Sequence, residues 1–255
     1  MNLLAFDTST DTLSVAVQHG AGLWQHSAPG GAQASAALIP TVRALLAQAG
    51  LSFDTLDAIV FGRGPGSFTG LRTACAVAQG LALGARQGRG VPVLPIDTLL
   101  AVAEEARHQH GCTQLVAALD ARMDEVYVAH YRWSDESSGN GGSAGQWDCT
   151  LPAHLSAPEA VQVPPGWALA GNAAGVYGAR LAAHTHHEGR AAPVFAALPT
   201  ATALLRLAPA LLAAGQAVPA RAALPLYIRD KVAQTTAERA AARPAAPGHA
   251  ASISP

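Results

Sequence analysis

The feature that most constrains the fold is an internal repeat. The segment LLAFDTSTDTLSVAV, which begins at residue 3, matches VAALDARMDEVYVAH, which begins at residue 116, in pattern and without a gap. Each segment ends its first apolar strand in an aspartate, Asp7 in one and Asp120 in the other. A second acid follows four residues later in each, and an alternating strand then resumes. The sequence therefore predicts two similar α/β halves with a boundary near residue 112.

The repeat divides the chain into two predicted halves and a tail. Residues 1–112 and 113–231 form the halves, each expected to hold a mixed sheet with flanking helices. Residues 232–255 contain no aromatic residue and much Ala and Pro, which is typical of a disordered tail. The Ser/Gly-rich stretch at 134–146 is predicted to be a long hairpin loop.

Hydrophobic periodicity and turn residues predict the elements of the first half. They are a three-stranded antiparallel meander over 3–28, a helix over 35–49, a strand over 57–62, a helix over 68–84, a strand over 91–96 and a helix over 98–110. Pro40 is placed in the first turn of its helix, where its missing N–H costs little. Asp97 is a candidate N-cap, and Gly111 follows the end of the same helix. In the second half, Pro209 is expected to interrupt an apolar helix.

Composition excludes several classes of protein. The formal net charge is −1, so no global charge attracts nucleic acid or an anionic membrane. No apolar run approaches the length of about 20 residues that spans a bilayer, and the N-terminus lacks a basic segment of the secretory type. The three cysteines have no CxxC spacing, which favours reduced thiols in a cytoplasmic protein.

The loop FGRGPGSFTG at residues 61–70 has the look of a phosphate-binding loop. A Walker A motif requires a lysine after the glycines, but the only lysine in the chain is Lys231. The spacing of Gly64, Gly66 and Gly70 also differs from a dinucleotide-binding GxGxxG motif. Two interpretations stay open: the glycines permit a tight strand-to-helix corner, or the helix start at Ser67 binds an anion.

The repeated aspartates also have two interpretations. Asp7 and Asp120 either face a shared cleft that holds Mg²⁺ and phosphate, or each closes its own hairpin turn. The candidate cleft, a vestigial nucleotide site, consists of Asp7, Thr8, Ser9, Gly64, Gly66, Ser67 and Asp120.

Metal and nucleophile motifs are weak. The segment HTHHEG at 184–189 has no two histidines at the i, i+4 spacing of a helical zinc site, so an exposed loop is expected and no metal site is predicted. Cys75 lies mid-helix without a neighbouring base and is expected to be a core residue. No GxSxG elbow is present.

The helices at 35–49 and 68–84 are unusually small and apolar. The second carries Gly70, Ala74, Ala78 and other small residues on nearly every side, so most of its circumference should be in contact. These two helices are therefore predicted to form half of a four-helix bundle with a partner. The alternative is that other parts of the same chain cover them.

Five segments in order along residues 3–231 resemble the TsaB (YeaZ) family. They are FDTSTDTLSVAV, GRGPGSFTGLRTACAVAQGLALG, PIDTLLAVAEEA, LDARMDEVYVAHY and LPLYIRD. That family is similar to the ASKHA superfamily of actin, Hsp70 and sugar kinases, which is built from two duplicated halves. The resemblance therefore implies the same architecture that the repeat predicts. One departure is Ala34, which stands where family members commonly have a histidine.

The resemblance implies a non-catalytic role in tRNA modification. The reaction transfers threonylcarbamoyl from threonylcarbamoyl-AMP to N6 of the adenosine next to the anticodon in tRNAs that read ANN codons. The partner TsaD is expected to perform it, with the ATPase TsaE docked on the pair. ATP and metal are expected on those subunits and no cofactor on this chain, which would meet tRNA only through the complex.

The resemblance also places the interface with TsaD on the two helices. A homodimer through the same helices when TsaD is absent is a further alternative that the sequence leaves open. The interface residues implied are Leu38, Val42, Leu45, Leu46, Leu71, Ala74, Ala78 and Leu81. An alternative function is an ATP-dependent phosphotransferase of the sugar-kinase type. The missing HxxxH motif argues against the metal and peptidase chemistry under which the family was once filed.

Overall fold

The computed structural model describes residues 1–135, 145–182, 186–187 and 190–229. The strands are Asn2–Asp7 (β1), Thr12–His19 (β2), Gly22–Pro29 (β3), Ala58–Gly64 (β4), Val93–Asp97 (β5), Gln114–Arg122 (β6), Glu125–Ser134 (β7), Gln146–Ser156 (β8), Ala168–Ala170 (β9), His186–His187 (β10), Arg190–Ala191 (β11) and Val194–Phe195 (β12). The α-helices are Ala34–Gln48 (α1), Phe68–Gly84 (α2), Thr98–His110 (α3), Ala173–Tyr177 (α4), Ala179–Ala182 (α5) and Ala201–Ala213 (α6).

Two five-stranded sheets share one topology. The first has the order β3-β2-β1-β4-β5, and the second has β8-β7-β6-β9-β12. In each sheet the central strand (β1 or β6) pairs antiparallel with the next strand along the chain and parallel with a later one (β4 or β9). The predicted duplication and the antiparallel meander β1–β2–β3 are thereby confirmed. A separate two-stranded sheet joins β10 and β11.

Helices α1 and α2 cover one face of the first sheet. The apolar spacing of α1 places Leu38 and Val42 in the core with Phe61 of β4, and all three are fully buried. The placement of Pro40 in the first turn is wrong, because α1 begins at Ala34 and the proline lies in its second turn. Pro40 is exposed, so its missing hydrogen bond falls on the solvent side of the helix.

Helix α6 crosses from the second half and covers the other face of the first sheet. Leu204 packs in one buried cluster with Leu3 of β1 and Val60 of β4. Conversely, α3 comes from the first half, and its Leu99 packs in a cluster with Leu115 of β6. The predicted boundary near residue 112 falls between α3 and β6, but the last helix of each half packs against the sheet of the other half.

Helix ends follow the sequence in part. Asp97 is at the N-cap of α3, but its carboxylate pairs with Arg63 at 2.5 Å and makes no capping hydrogen bond. Gly111 ends that helix in the left-handed conformation, with φ of 71°, as predicted. The predicted interruption of α6 is wrong: the helix continues from Ala201 to Ala213 through Pro209, which is exposed.

Several expectations fall on stretches beyond the described ranges. β7 and β8 pair as a hairpin with Ser134 opposite Gln146, so the 134–146 stretch connects them as predicted, but residues 136–144 lie outside the described residues. The tail at 232–255 and most of the HTHHEG segment also lie outside them. Within the described ranges, no helix has the length and apolar character needed to cross a membrane.

Candidate cleft and partner-facing helices

A cavity of about 250 Å³ lies between the two halves, where the repeated hairpin turns face each other. Its lining comes from the β1–β2 turn, the corner before α2, the β6–β7 turn and the last described residue, Arg229. The lining residues are Ser9, Thr10, Asp11, Gly66, Ser67, Phe68, Leu119, Asp120, Ala121, Arg122, Tyr127, Asn172 and Arg229. Four of the seven predicted cleft residues are among them.

Asp7 does not reach this cavity. Its side chain is fully buried, and Oδ1 accepts hydrogen bonds from the amide (2.8 Å) and hydroxyl (2.6 Å) of Ser9. Oδ2 has no hydrogen-bond partner among the described residues, and a Cβ atom at Gly62 would lie 1.7 Å from it. Burial raises the pKa of Asp7 to about 6, against the lowering effect of the Ser9 hydrogen bonds. Asp7 therefore closes its own turn, and its predicted place in the cleft is wrong.

The glycine loop is a corner pressed against that turn. A Cβ atom at Gly66 would lie 2.5 Å from the carbonyl oxygen of Ser9, and one at Gly70 would lie 1.9 Å from that of Thr8. Thr8 Oγ1 also donates a hydrogen bond to the Gly70 carbonyl (2.7 Å). Only glycine permits this approach, so the corner interpretation is confirmed. Thr8 and Gly64 are buried in this packing and do not line the cavity.

Asp120 does line the cavity, but its carboxylate is already bound. Oδ1 accepts hydrogen bonds from the Arg122 amide and the Tyr177 hydroxyl, both at 2.8 Å. Oδ2 lies 3.3 Å from Nη1 of Arg122. Burial and the Asp120 hydrogen bond raise the pKa of Tyr177 to about 12. Asp120 thus closes the β6–β7 turn as Asp7 closes the β1–β2 turn.

The positive charges on the cavity wall are also paired. Nη2 of Arg122 lies 2.6 Å from Oδ2 of Asp11, so this guanidinium bridges the turns of the two halves. Arg229 forms an ion pair with Glu125. Among the described residues, two arginines therefore face three carboxylates at this wall, and this balance offers no free positive charge to a phosphate. The arrangement does not favour the phosphotransferase alternative.

The predicted bundle residues lie on the inner side of their helices. Seven of the eight are buried in the chain's own core, and Leu81 packs against the same core; the seven are Leu38, Val42, Leu45, Leu46, Leu71, Ala74 and Ala78. Their apolar spacing marks the side that faces the sheet, so these side chains are not a surface for a partner. The exposed side of the two helices is formed by other residues: Ser35, Ala36, Ile39, Pro40, Arg43, Ala44, Ala47 and Gln48 on α1, and Phe68, Thr69, Arg72, Ala76, Gly80, Leu83 and Gly84 on α2.

Metal-binding chemistry finds little support in the described part of the chain. No group of three or more His, Cys, Asp or Glu side chains there is placed to hold a metal ion. Cys75 is a buried core residue, as predicted, and its Sγ donates to the carbonyl of Ala223 at 3.2 Å.

Comparison with known proteins gives one consistent result. Residues 26–237 match the family model "TsaD: tRNA N6-adenosine threonylcarbamoyltransferase". The tRNA threonylcarbamoyladenosine biosynthesis protein TsaB of Escherichia coli is 32% identical over 91% of this chain and 96% of that protein. The chain belongs to the TsaB (YeaZ) family. The TsaB of Haemophilus influenzae is 36% identical over 66% of this chain and 73% of its own length.

Structural similarity agrees with that assignment. YeaZ from Pseudomonas aeruginosa has 38% identity and a TM-score of 0.75, and the match covers 89% of this chain and 99% of that one. The family and fold predicted from the sequence are therefore confirmed. The matching family model carries the TsaD name, but a family match does not by itself assign that transferase activity to this chain.

Proposed function

We propose that the chain is a non-catalytic subunit in tRNA threonylcarbamoyladenosine biosynthesis and works in the cytoplasm. In this proposal it pairs with a TsaD-type chain, and TsaE docks on the pair. Catalysis, ATP and metal belong to those partners, and tRNA meets this chain through the complex. The names of the curated relatives support the pathway.

The observation that carries the proposal is the exposed side of α1 and α2. Ala44 on α1 and Ala76 and Gly80 on α2 are exposed and small, which allows a second pair of helices to approach closely. Two larger apolar residues flank them: Ile39 is 43% exposed and Leu83 is 59% exposed. Arg43, Gln48 and Arg72 are also exposed on these helices, so the surface combines small and apolar residues with a few polar ones. Exposed apolar residues rimmed by polar ones are typical of a protein-binding surface.

The pairing of the charged groups at the cleft supports the non-catalytic part of the proposal. A phosphoryl-transfer site uses free cations to stabilise the charge that develops on phosphate. Arg122 and Arg229 are already held by Asp11, Asp120 and Glu125. We therefore place the chemistry on the partner.

The test uses the full chain with the TsaD-type protein of the same organism. Size-exclusion chromatography with light scattering should show a one-to-one complex, and Ala44→Arg or Ala76→Arg should abolish it. Ala210→Arg is the matched control, because Ala210 is exposed on α6 at the opposite face of the first sheet. Leu71 and Ala78 are unsuitable positions, since a charge there would disrupt the chain's own core.

Two results would contradict the proposal. One is a complex that survives both arginine variants while circular dichroism shows that they are folded. The other is the absence of any complex for the unchanged chain. The chain alone should form a homodimer through the same surface, so Ala76→Arg should also make it monomeric.

A further inference from the structure

The last described residues of the chain run along α2 and then reach the second half. We call Ala223–Arg229 the C-terminal strap. At its beginning, the Ala223 carbonyl accepts a hydrogen bond from Nε2 of Gln79 on α2 at 2.8 Å. Further on, the amide of Leu226 donates to the carbonyl of Arg63 on β4 at 2.7 Å. These contacts fix the first part of the strap to the first half.

The end of the strap is held by the β6–β7 turn of the second half. The Arg229 guanidinium donates to the Arg122 carbonyl (3.2 Å) and approaches Sδ of Met123 (3.3 Å), in addition to its ion pair with Glu125. Its side chain is only 13% exposed, which separates it from an ordinary surface arginine. The strap therefore has one anchor on each side of the cleft.

The turn that Arg229 holds has an unfavourable backbone. Arg122, Met123 and Asp124 all have positive φ values, of 62°, 56° and 59°. Arg122 pairs with Glu125, so Met123 and Asp124 are the two loop residues of a hairpin, where positive φ is usual but is normally supplied by Gly, Asn or Asp. Arg122 and Met123 therefore carry the strain of this turn. Arg229 contacts the first two residues, and Arg180 binds the carboxylate of Asp124 at 2.9 Å.

We propose that the C-terminal strap is a clasp that fixes the two halves across the cleft and holds the 122–124 turn in its strained form. The strap and the turn, which border the cavity through Arg229 and Arg122, then open together as one local unit. The inference concerns the chain alone and does not depend on the proposed partner.

The test perturbs one anchor and measures the other by NMR hydrogen exchange of the full chain. Arg229→Ala should accelerate exchange of the Leu226 amide about tenfold, the size expected when a charge-assisted hydrogen bond is lost. Conversely, Leu226→Pro removes the amide N–H that donates to the Arg63 carbonyl, and it should accelerate exchange of the Arg122 amide by a similar factor. The matched control is Arg221→Ala, because Arg221 is exposed and forms no hydrogen bond or ion pair in the structure's described part.

The amide of Phe6 in β1 serves as an internal reference for global unfolding. The proposal is supported if each variant accelerates amide exchange at the opposite anchor, while exchange at Phe6 stays unchanged and Arg221→Ala accelerates neither anchor. Acceleration confined to the substituted end would overturn the proposal, because the anchors would then be independent. An equal acceleration at Phe6 would also overturn it, because the strap would then contribute only general stability.

Discussion

Replacing Asp7 with asparagine should remove a pH dependence from the free energy of unfolding. The carboxyl group has a pKa of about 6 in the folded chain, against 3.8 for an exposed aspartate, because burial disfavours its charged form. Between these two values the folded state therefore binds more protons than the unfolded state. The contribution of Asp7 to the free energy of unfolding therefore falls as the pH rises through this window and is lowest above pH 6.

The magnitude follows from the size of the shift. One pKa unit corresponds to about 1.4 kcal/mol, so the shift of Asp7 amounts to about 3 kcal/mol across the window. Asparagine cannot ionise, and its amide would leave a donor where Oδ2 now has no partner among the described residues. That unpaired amide donor lowers the free energy of unfolding by about 1–3 kcal/mol at every pH, so it adds no pH dependence of its own.

Urea denaturation at several pH values between 4 and 7 measures the effect. The unfolding free energy of Asp7→Asn minus that of the unchanged chain should rise by about 2–3 kcal/mol from pH 4 to pH 7. Ser9→Ala is the matched variant, and its expected effect has the opposite sign. The Ser9 hydroxyl lowers the pKa of Asp7, so its loss should raise that pKa further and enlarge the fall in unfolding free energy between pH 4 and pH 7. A difference between Asp7→Asn and the unchanged chain that stays constant with pH would refute the reasoning.

Three further predictions concern the corner, the buried ion pairs and the cleft. Gly70→Ala should destabilise by about 3 kcal/mol in thermal denaturation because its Cβ would meet a carbonyl oxygen, whereas Gly80→Ala, with open space around it, should be neutral or stabilise by up to about 1 kcal/mol. Arg206→Met should destabilise by about 3 kcal/mol in urea, since it leaves the buried Glu104 and Glu105 short of a partner; Arg221→Met is the control. Calorimetry with millimolar Mg-ATP should show no binding, and measurable heat would contradict the paired-charge account of the cleft.

The sequence predicted the sheets and the buried sides of the helices well, because their signals are local. The strand-turn-strand repeat around Asp7 and Asp120 gave the topology, and the spacing of Leu38 and Val42 identified an apolar side of α1. The same spacing misled the choice of interface residues. An apolar stripe marks the side that the chain itself buries, whereas an exposed side built from Ala44 and Ala76 has no periodic signal.

The cleft was harder to predict because its chemistry depends on contacts between distant residues. The repeat treats Asp7 and Asp120 as equivalent, yet Asp7 packs against Gly62 while Asp120 lines the cavity beside Arg122. The place of Arg122 near the cavity could have been predicted from the repeat, because Arg122 occupies in the second turn the position that Ser9 occupies in the first. Arg229 lies in the segment LPLYIRD, but nothing in the sequence indicated its contact with Glu125, which lies 104 residues away in the chain.

The crossing of α6 onto the first sheet bears on how the chain folds during synthesis. N-terminal domains usually fold first as they leave the ribosome, at about 5–20 residues per second. Here Leu3 and Val60 stay uncovered until Ala201–Ala213 has been made, which takes roughly 6 to 23 seconds after β5 is complete. The nascent first half therefore exposes one apolar sheet face for that interval, and its own core is completed only by a helix from the second half.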